Sequence, residues 1–128
     1  MTENEIATNI GDTAFHIHYD LGPGLFESVY ERITEAELRK RGLVVFRQKA
    51  IPVVYGGLHF EAGFRADLLV ENKVIVEVKS IEALHPVHKK QVLTYLRFAD
   101  KRLGLLINFN VALIKDGIVR LVNKLKDD

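Results

Sequence analysis

The residues of this chain whose types and spacing could do chemistry are Asp67 and the segment Glu77-Val78-Lys79. Segments 64–70 and 74–80 both have the composition of β-strands, and residues 71–73 between them have that of a turn. Side chains alternate along a strand, so Glu77 and Lys79 share one face. The pattern predicts a β-hairpin that carries two carboxylates and an amine near its middle.

The length of the turn decides whether Asp67 lies beside Glu77, because a one-residue shift in register moves a side chain to the opposite face. A three-residue loop at 71–73 pairs Asp67 with Glu77 directly, with Cβ atoms about 4.5–5.5 Å apart. Two facing carboxylates repel each other, whereas one Mg²⁺ with oxygen ligands at about 2.0–2.1 Å can bridge them. Lys79 could polarise a bound water or neutralise charge on a phosphate under attack. The spacing predicts a magnesium-dependent phosphodiesterase site.

An ordinary strand pair is the alternative interpretation, with Glu77 and Lys79 as an ion pair and Asp67 exposed. The neighbours of Glu77 argue against it, because residues 74–78 are otherwise all Val or Ile. Such an apolar run is typical of a strand covered on both faces. A charge buried there needs a partner or a metal ion.

A second motif lies upstream, where residues 24–30 fit the pattern G-x-x-E-x-x-Y. Together with Asp67 and Glu77-Val78-Lys79, this motif resembles the GxxExxY proteins, which are grouped with the PD-(D/E)xK nuclease superfamily. The resemblance spans roughly residues 14–123 and also takes in residues 63–68, 86–88, 91–96 and 103–109.

The resemblance implies an α/β, restriction-endonuclease-like fold, with a central mixed sheet that contains the hairpin and is flanked by helices. It also implies a metal-dependent nuclease that uses Mg²⁺ or Mn²⁺ and acts on DNA more readily than on RNA. In that superfamily a helical acid completes the metal shell, and Glu27 is the matching residue. The backbone carbonyl of Val78 lies within reach as a further oxygen ligand. Glu27 has an alternative role, since an acid in the first turn of a helix is favoured by the helix dipole.

A polar stripe is expected on the helix after the motif strand, because His88, Gln91 and Tyr95 are spaced i, i+3 and i+7. Gln91-x-x-x-Tyr95 is similar to the extra motif of RecB-type nucleases. There Gln could hold a phosphate or a metal-bound water, and Tyr could stack on a nucleotide. A solvated Gln and a half-buried Tyr at a helix border are the alternative.

Three more side chains are candidates for supporting roles. His88 could contact the metal ligands without binding the metal ion itself. Arg65 lies two residues before Asp67 and could contact a phosphate or form a structural ion pair. Tyr30 is expected to pack against the core or to hydrogen-bond to Glu27 and fix it.

Composition and charge bound the remaining possibilities. The chain has 128 residues, of which 48% are hydrophobic, so we expect one domain over 1–128. It has no cysteine, which excludes disulfides and thiolate chemistry. The acidic N-terminus and the lack of a long apolar run predict a cytoplasmic protein without a membrane span. A domain of this size often acts as a homodimer.

Net charge is only +1, which argues against strong sequence-independent binding of phosphates. The distribution is uneven, because residues 1–31 contain six acids and all eighteen Lys and Arg fall in residues 32–126. The basic residues could form a rim that faces nucleic acid, or they could be solvated helix charges.

Periodicity predicts a mixed order of elements. Helices are expected at 4–20, at about 25–41 with Phe26, Val29, Tyr30, Ile33 and Ala36 toward the core, and at 86–99. Strands are expected at 43–49, 51–55, 64–70, 74–80 and 103–108, the last parallel to a neighbour, with a final hairpin turn at Asp116-Gly117.

Two functions of other classes stay open: a catalytically silent nucleic-acid-binding module, and an accessory or interaction protein that holds a structural cation. The lysine of the motif favours the enzyme, because cation storage has no use for a neighbouring ammonium. The low net charge favours the other two.

Overall fold

The structure is a computed structural model, and it describes residues 1–126. Within that range the elements are, in chain order, α1 (Glu3–Leu21), α2 (Glu27–Lys40), β1 (Val45–Tyr55), β2 (Leu58–Val70), β3 (Val74–Lys79), α3 (Pro86–Ala99), β4 (Leu103–Asn108), a 3₁₀ turn (Ile114–Gly117) and β5 (Ile118–Val122). The helices predicted at 4–20 and 86–99 are confirmed. Among residues 1–126, no helix combines the length and the apolar character that crossing a membrane requires.

The strands form one mixed sheet in the order β1-β2-β3-β4-β5. Strands β3 and β4 are parallel and the other neighbours are antiparallel. The parallel pair needs a crossover, which α3 supplies. The predicted mixed sheet flanked by helices, and the parallel position of 103–108, are therefore confirmed.

Helices cover both faces of the sheet, so the central strands are buried. On one face, α1 contributes Ile6, Ile10, Ala14 and Ile17 to a core shared with α2. On the other face, Val92 and Leu96 of α3 pack over Ile75 and Leu106 in a second, smaller core. Each fully buried aliphatic side chain contributes about 1.5–3 kcal/mol. Polar side chains on β3 are therefore held in an apolar layer.

The buried face of α2 differs from the prediction. Phe26 and Val29 are exposed, as is Ala36, while Glu31, Thr34 and Leu38 are buried with Tyr30. The hydroxyl of Thr34 donates to the Tyr30 carbonyl at 2.7 Å, so this polar residue is satisfied inside the core. Apolar periodicity was misleading here because the buried stripe includes a threonine and a glutamate.

Strands β1 and β2 are longer than predicted and continue as a two-stranded arm beyond the rest of the sheet. The two strands predicted at 43–49 and 51–55 are one strand, Val45–Tyr55, which runs through Pro52 with an irregularity in register between Ile51 and Val53. A bulge of this kind accommodates the missing N–H of proline. The last hairpin is also looser than predicted, because residues 109–117 connect β4 and β5.

Packing of α3 on the sheet leads to a test at Gly104. A Cβ built on Gly104 would lie 2.7 Å from Cγ1 of Val92. We expect Gly104→Ala to lower the free energy of unfolding by about 1–3 kcal/mol through overpacking. Gly11, within α1, has no atom within 4 Å of such a Cβ, so Gly11→Ala should raise it by about 0.5–1 kcal/mol. Urea denaturation measures both, and equal effects would contradict this packing.

Candidate active site

Strands β2 and β3 separate at the position of Asp67 and Glu77. Their backbone pairing runs from Val70–Val74 to Leu68–Val76, around the predicted three-residue loop at 71–73. At the next residue pair, Asp67 and Glu77, the side-chain carboxylates accept hydrogen bonds from backbone N–H groups in place of backbone carbonyls. The Asp67 N–H donates to Glu77 Oε1 at 3.0 Å, and the Val78 N–H donates to Asp67 Oδ2 at 2.9 Å. We call this point the fork, and it brings Asp67 and Glu77 together across the hairpin.

Both carboxylates at the fork are held in surroundings that favour their protonated form. Glu77 is only 7% exposed. Burial raises the pKa of Glu77 to about 8, and the charge of Asp67 adds to the effect. Burial also raises the pKa of Asp67 to about 6, with Glu31 adding to it while the Val78 N–H opposes it. Because two adjacent carboxylates, one buried and one half-buried, resist ionising together, this site favours a proton or a cation.

Lys79 lies on the same face of β3 as Glu77 and is half-buried. Its positive charge lowers the pKa of Glu77, although by less than burial raises it. The same charge contributes, after burial, to lowering the pKa of His88. Lys79 therefore stands between the acids and the first turn of α3.

Helix α2 places Glu31, rather than Glu27, in contact with the group around Asp67. Glu31 is buried, and Gln48 Nε2 links it at 3.0 Å to Asp67 Oδ1 at 3.2 Å. Glu27 is exposed and accepts a hydrogen bond from the Ser80 N–H at 3.2 Å, beyond the end of β3. Both acids face the same end of the sheet, because residues four apart lie on one side of a helix.

The sequence pattern does not identify Glu31 or Gln48 as site residues. The i, i+4 spacing from Glu27 was the available signal for Glu31. No local signal identified Gln48, since it meets Asp67 only through the pairing of β1 with β2.

Tyr30 is fully buried and stacks on Phe109 with ring centroids 4.5 Å apart. Its hydroxyl donates to the Gly22 carbonyl at 2.5 Å and accepts from the Leu25 N–H at 3.3 Å. Tyr30 thus supports Glu27 by holding the loop that precedes it, and no direct hydrogen bond joins the two side chains within residues 1–126.

Helix α3 brings Tyr95 close to the acids. Its ring stacks on Phe64 of β2 with centroids 4.0 Å apart. Burial raises the pKa of Tyr95, and the charges of Glu77 and Asp67 raise it further.

The other two residues of the predicted polar stripe lie nearer the start of α3. Gln91, one turn before Tyr95, is exposed. His88 is half-buried, and its Nδ1 accepts from the His85 N–H at 2.9 Å, which caps the helix.

Arg65 points its guanidinium at the backbone of β1. Its Nη1 donates to the Gln48 carbonyl at 3.3 Å, and the side chain is exposed. Within residues 1–126 Arg65 forms no ion pair, so that predicted role is not observed, and the phosphate contact stays a prediction. Its hydrogen bond to the Gln48 carbonyl supports the strand that carries Gln48.

The carboxylate oxygens at the fork are the kind of ligand that a hard divalent cation such as Mg²⁺ prefers. Among residues 1–126, no three Asp, Glu, His or Cys side chains are arranged to hold a metal ion by themselves. Mg²⁺ does not require three, because it is usually bound through one or two carboxylates and keeps several waters or substrate phosphates. Asp67 and Glu77 supply two carboxylates at a position where positive charge is favoured.

Comparison with known proteins gives one match. The sequence profile of the PD-(D/E)XK nuclease superfamily matches residues 4–121. No curated protein and no solved structure matches the chain. The matched range includes Asp67, Glu77 and Lys79, and it extends from most of α1 to most of β5.

The raised pKa of Glu77 predicts how stability depends on pH in the absence of metal. The protonated form is favoured in the folded state, so this stabilisation is complete below the ordinary pKa of 4.5 and is lost as pH rises through about 8. In EDTA, wild type should lose at least about 1 kcal/mol relative to Glu77→Gln between pH 5 and pH 8.5, since one pKa unit corresponds to about 1.36 kcal/mol.

Chemical denaturation across that pH range measures the difference. Glu61→Gln, which changes an exposed acid of the β1–β2 arm, is the control and should follow wild type. Parallel curves for wild type and Glu77→Gln would show that Glu77 does not titrate in this window.

Proposed function

Because the chain belongs to the PD-(D/E)XK nuclease superfamily, we propose that it is a divalent-cation-dependent nuclease that hydrolyses phosphodiester bonds, with DNA preferred over RNA. Membership gives a nuclease-type function with a nucleic acid as substrate, and nucleases of this superfamily generally use divalent metals such as Mg²⁺. The observation that carries the proposal is the fork, where the buried carboxylate of Glu77, the half-buried carboxylate of Asp67 and a lysine meet on one face.

The narrower parts of the proposal rest on sequence motifs, composition and chain length. They are assignment to the GxxExxY proteins, one nuclease-like domain over residues 1–128, a cytoplasmic location, and a homodimer. The G-x-x-E-x-x-Y motif supports the first, since it places Glu27 at the start of α2 and Tyr30 under the loop before it.

Asp67 and Glu77 are the proposed ligands of Mg²⁺ or Mn²⁺, with the Val78 carbonyl and Glu27 completing the set. Glu31 is closer than Glu27 to Asp67 through Gln48, so it is an additional candidate from α2. When bound, the cation would polarise a phosphate oxygen and lower the pKa of an attacking water. Burial of Glu77 supports this role, because a bound cation offsets both the burial and the charge of Asp67 that raise the pKa of this carboxyl.

Lys79 is the proposed electrostatic stabiliser of the reacting phosphate. It is half-buried beside Glu77, where charge interactions are stronger than in water. An ammonium held there can offset the negative charge that grows on the phosphate oxygens during attack. It can also orient the water that attacks.

Side chains of α3 are the proposed substrate contacts. Tyr95 has a rigid ring against Phe64 and lies near both acids, so a nucleotide could stack beside it or its hydroxyl could bond to the backbone. Exposed Gln91 on the same helix could hold a phosphate, and His88 supports the start of that helix. Arg65 acts on the backbone of β1.

A nucleic-acid-binding protein without turnover is the second candidate. The net charge of +1 favours this candidate, whereas Lys79 favours the enzyme, because simple binding needs no ammonium beside the acid pair. Turnover decides between them.

The first test is cleavage of plasmid, linear, single-stranded and branched DNA, and of RNA, with Mg²⁺, Mn²⁺ or EDTA. We expect cleavage with either metal and none in EDTA. Asp67→Ala should abolish cleavage and also Mn²⁺ binding measured by calorimetry, because it removes one of the two carboxylates. Equal Mn²⁺ binding by wild type and Asp67→Ala would exclude the fork as the cation site.

The second test concerns Lys79. Lys79→Ala should retain the fold and much of the affinity for nucleic acid, yet lose about 10²-fold or more in cleavage rate, as on removal of one electrostatic stabiliser. Single-turnover rates and filter binding measure the two effects. Lys124→Ala is the matched control, since Lys124 lies past β5 at the opposite end of the sheet. Unchanged cleavage by Lys79→Ala would point to a contaminating nuclease or another site.

A further inference from the structure

Gln48 joins two acids that come from different parts of the chain. Its Nε2 lies 3.0 Å and 3.1 Å from the two carboxylate oxygens of Glu31 on α2. The same nitrogen lies 3.2 Å from Oδ1 of Asp67 on β2. A primary amide has two N–H groups, so one side chain can donate to both carboxylates at once.

The backbone of Gln48 adopts a conformation that is unfavourable for a residue with a Cβ. Its φ is +53°, in the left-handed region, although it lies within a strand. Strand β1 pairs with β2 on both sides of it, at Arg47–Leu68 and Lys49–Ala66, but not at Gln48 itself. Arg65 Nη1 donates to the Gln48 carbonyl at 3.3 Å and so holds this conformation.

Strained backbone at one position of a regular strand persists only when the surroundings impose it, and it is common next to functional groups. Here the left-handed backbone conformation of Gln48 directs its side-chain amide toward Asp67 at the fork and toward Glu31. Arg47 adds a second donor to Glu31 at 3.2 Å.

We propose that Gln48 is a positioning residue that holds the Glu31 and Asp67 carboxylates side by side, so that both present oxygens at the fork. The part of this proposal that concerns cation binding rests on the proposed function, in which the fork binds a divalent cation. Without the amide, the two carboxylates would face each other without a shared donor, and repulsion would turn them apart. Loss of a residue that orients metal ligands typically weakens metal binding about 10–100-fold.

The chemistry of the side chain suits this position. An amide donates to two carboxylates without adding charge. A glutamate would add a third negative charge and no N–H, and a lysine would add a positive charge that competes with a bound cation. Neutral donation keeps the site selective for a cation from solution.

The experiment compares wild type with Gln48→Met, which retains the length of the side chain and removes both N–H groups. Calorimetric titration with Mn²⁺ should show an affinity about 10–100-fold weaker for the variant. Lys124→Met is the matched control, because Lys124 has φ +57° and is exposed at the far end of the sheet. It should bind Mn²⁺ as wild type does. Equal affinity of Gln48→Met and wild type would overturn the proposal.

A measurement in EDTA tests the amide bridge without any metal. Gln48→Met should lower the melting temperature, because two neighbouring carboxylates lose their common donor. Adding Glu31→Gln should recover it, since this change removes one charge and supplies an amide next to Asp67. Recovery in the double variant, or folding of the double variant where Gln48→Met alone does not fold, supports the bridge. Additive losses from the two single changes would overturn it.

The two measurements separate the failure of this proposal from that of the proposed function. A wild type that binds no Mn²⁺ would contradict the cation site, and the melting temperatures in EDTA would then judge the bridge by themselves. A wild type that binds Mn²⁺ but cleaves no nucleic acid would contradict turnover only, and the affinity of Gln48→Met would still decide the role of Gln48.

Discussion

Two carboxylates substitute for the missing backbone acceptors where β2 leaves β3, and the site depends on this exchange. A buried N–H without an acceptor is unfavourable by about 1–3 kcal/mol. Glu77 accepts from the Asp67 N–H, and Asp67 accepts from the Val78 N–H, so the strands can part without leaving either donor unsatisfied. The same two bonds fix where both acids point. Beyond them β2 is free to continue with β1 as the arm.

The same arrangement creates the electrostatic character of the site. Apolar strands surround Glu77, and the charge of Asp67 adds to the burial that raises its pKa. The positive charge of Lys79 lowers the pKa of Glu77, but by less than burial and Asp67 raise it. Hydrogen bonds from backbone N–H groups hold the carboxylates in place but do not neutralise their negative charge. A proton or a divalent cation can neutralise it.

Much of the fold could be predicted from local patterns. Helices α1 and α3, strands β3 and β4 and the loop at 71–73 follow from apolar periodicity and turn composition, because each is specified by neighbouring residues. The packed face of α2 could not be predicted in this way. Its buried side contains Thr34 and Glu31, whose polar groups are satisfied by the Tyr30 carbonyl and by Gln48 and Arg47, contacts that a hydropathy pattern does not reveal.

The amino-acid sequence by itself determined that Asp67, Glu77 and Lys79 share one face, since strand alternation and an odd loop length are local properties. Only the tertiary structure decided which acids of α2 approach them. Glu31 reaches Asp67 through Gln48, and that contact depends on a left-handed residue in β1 and on the register of β1 against β2. Both arise from interactions between segments far apart in the chain, because a non-glycine residue enters the left-handed region only when packing and hydrogen bonds outweigh its local preference.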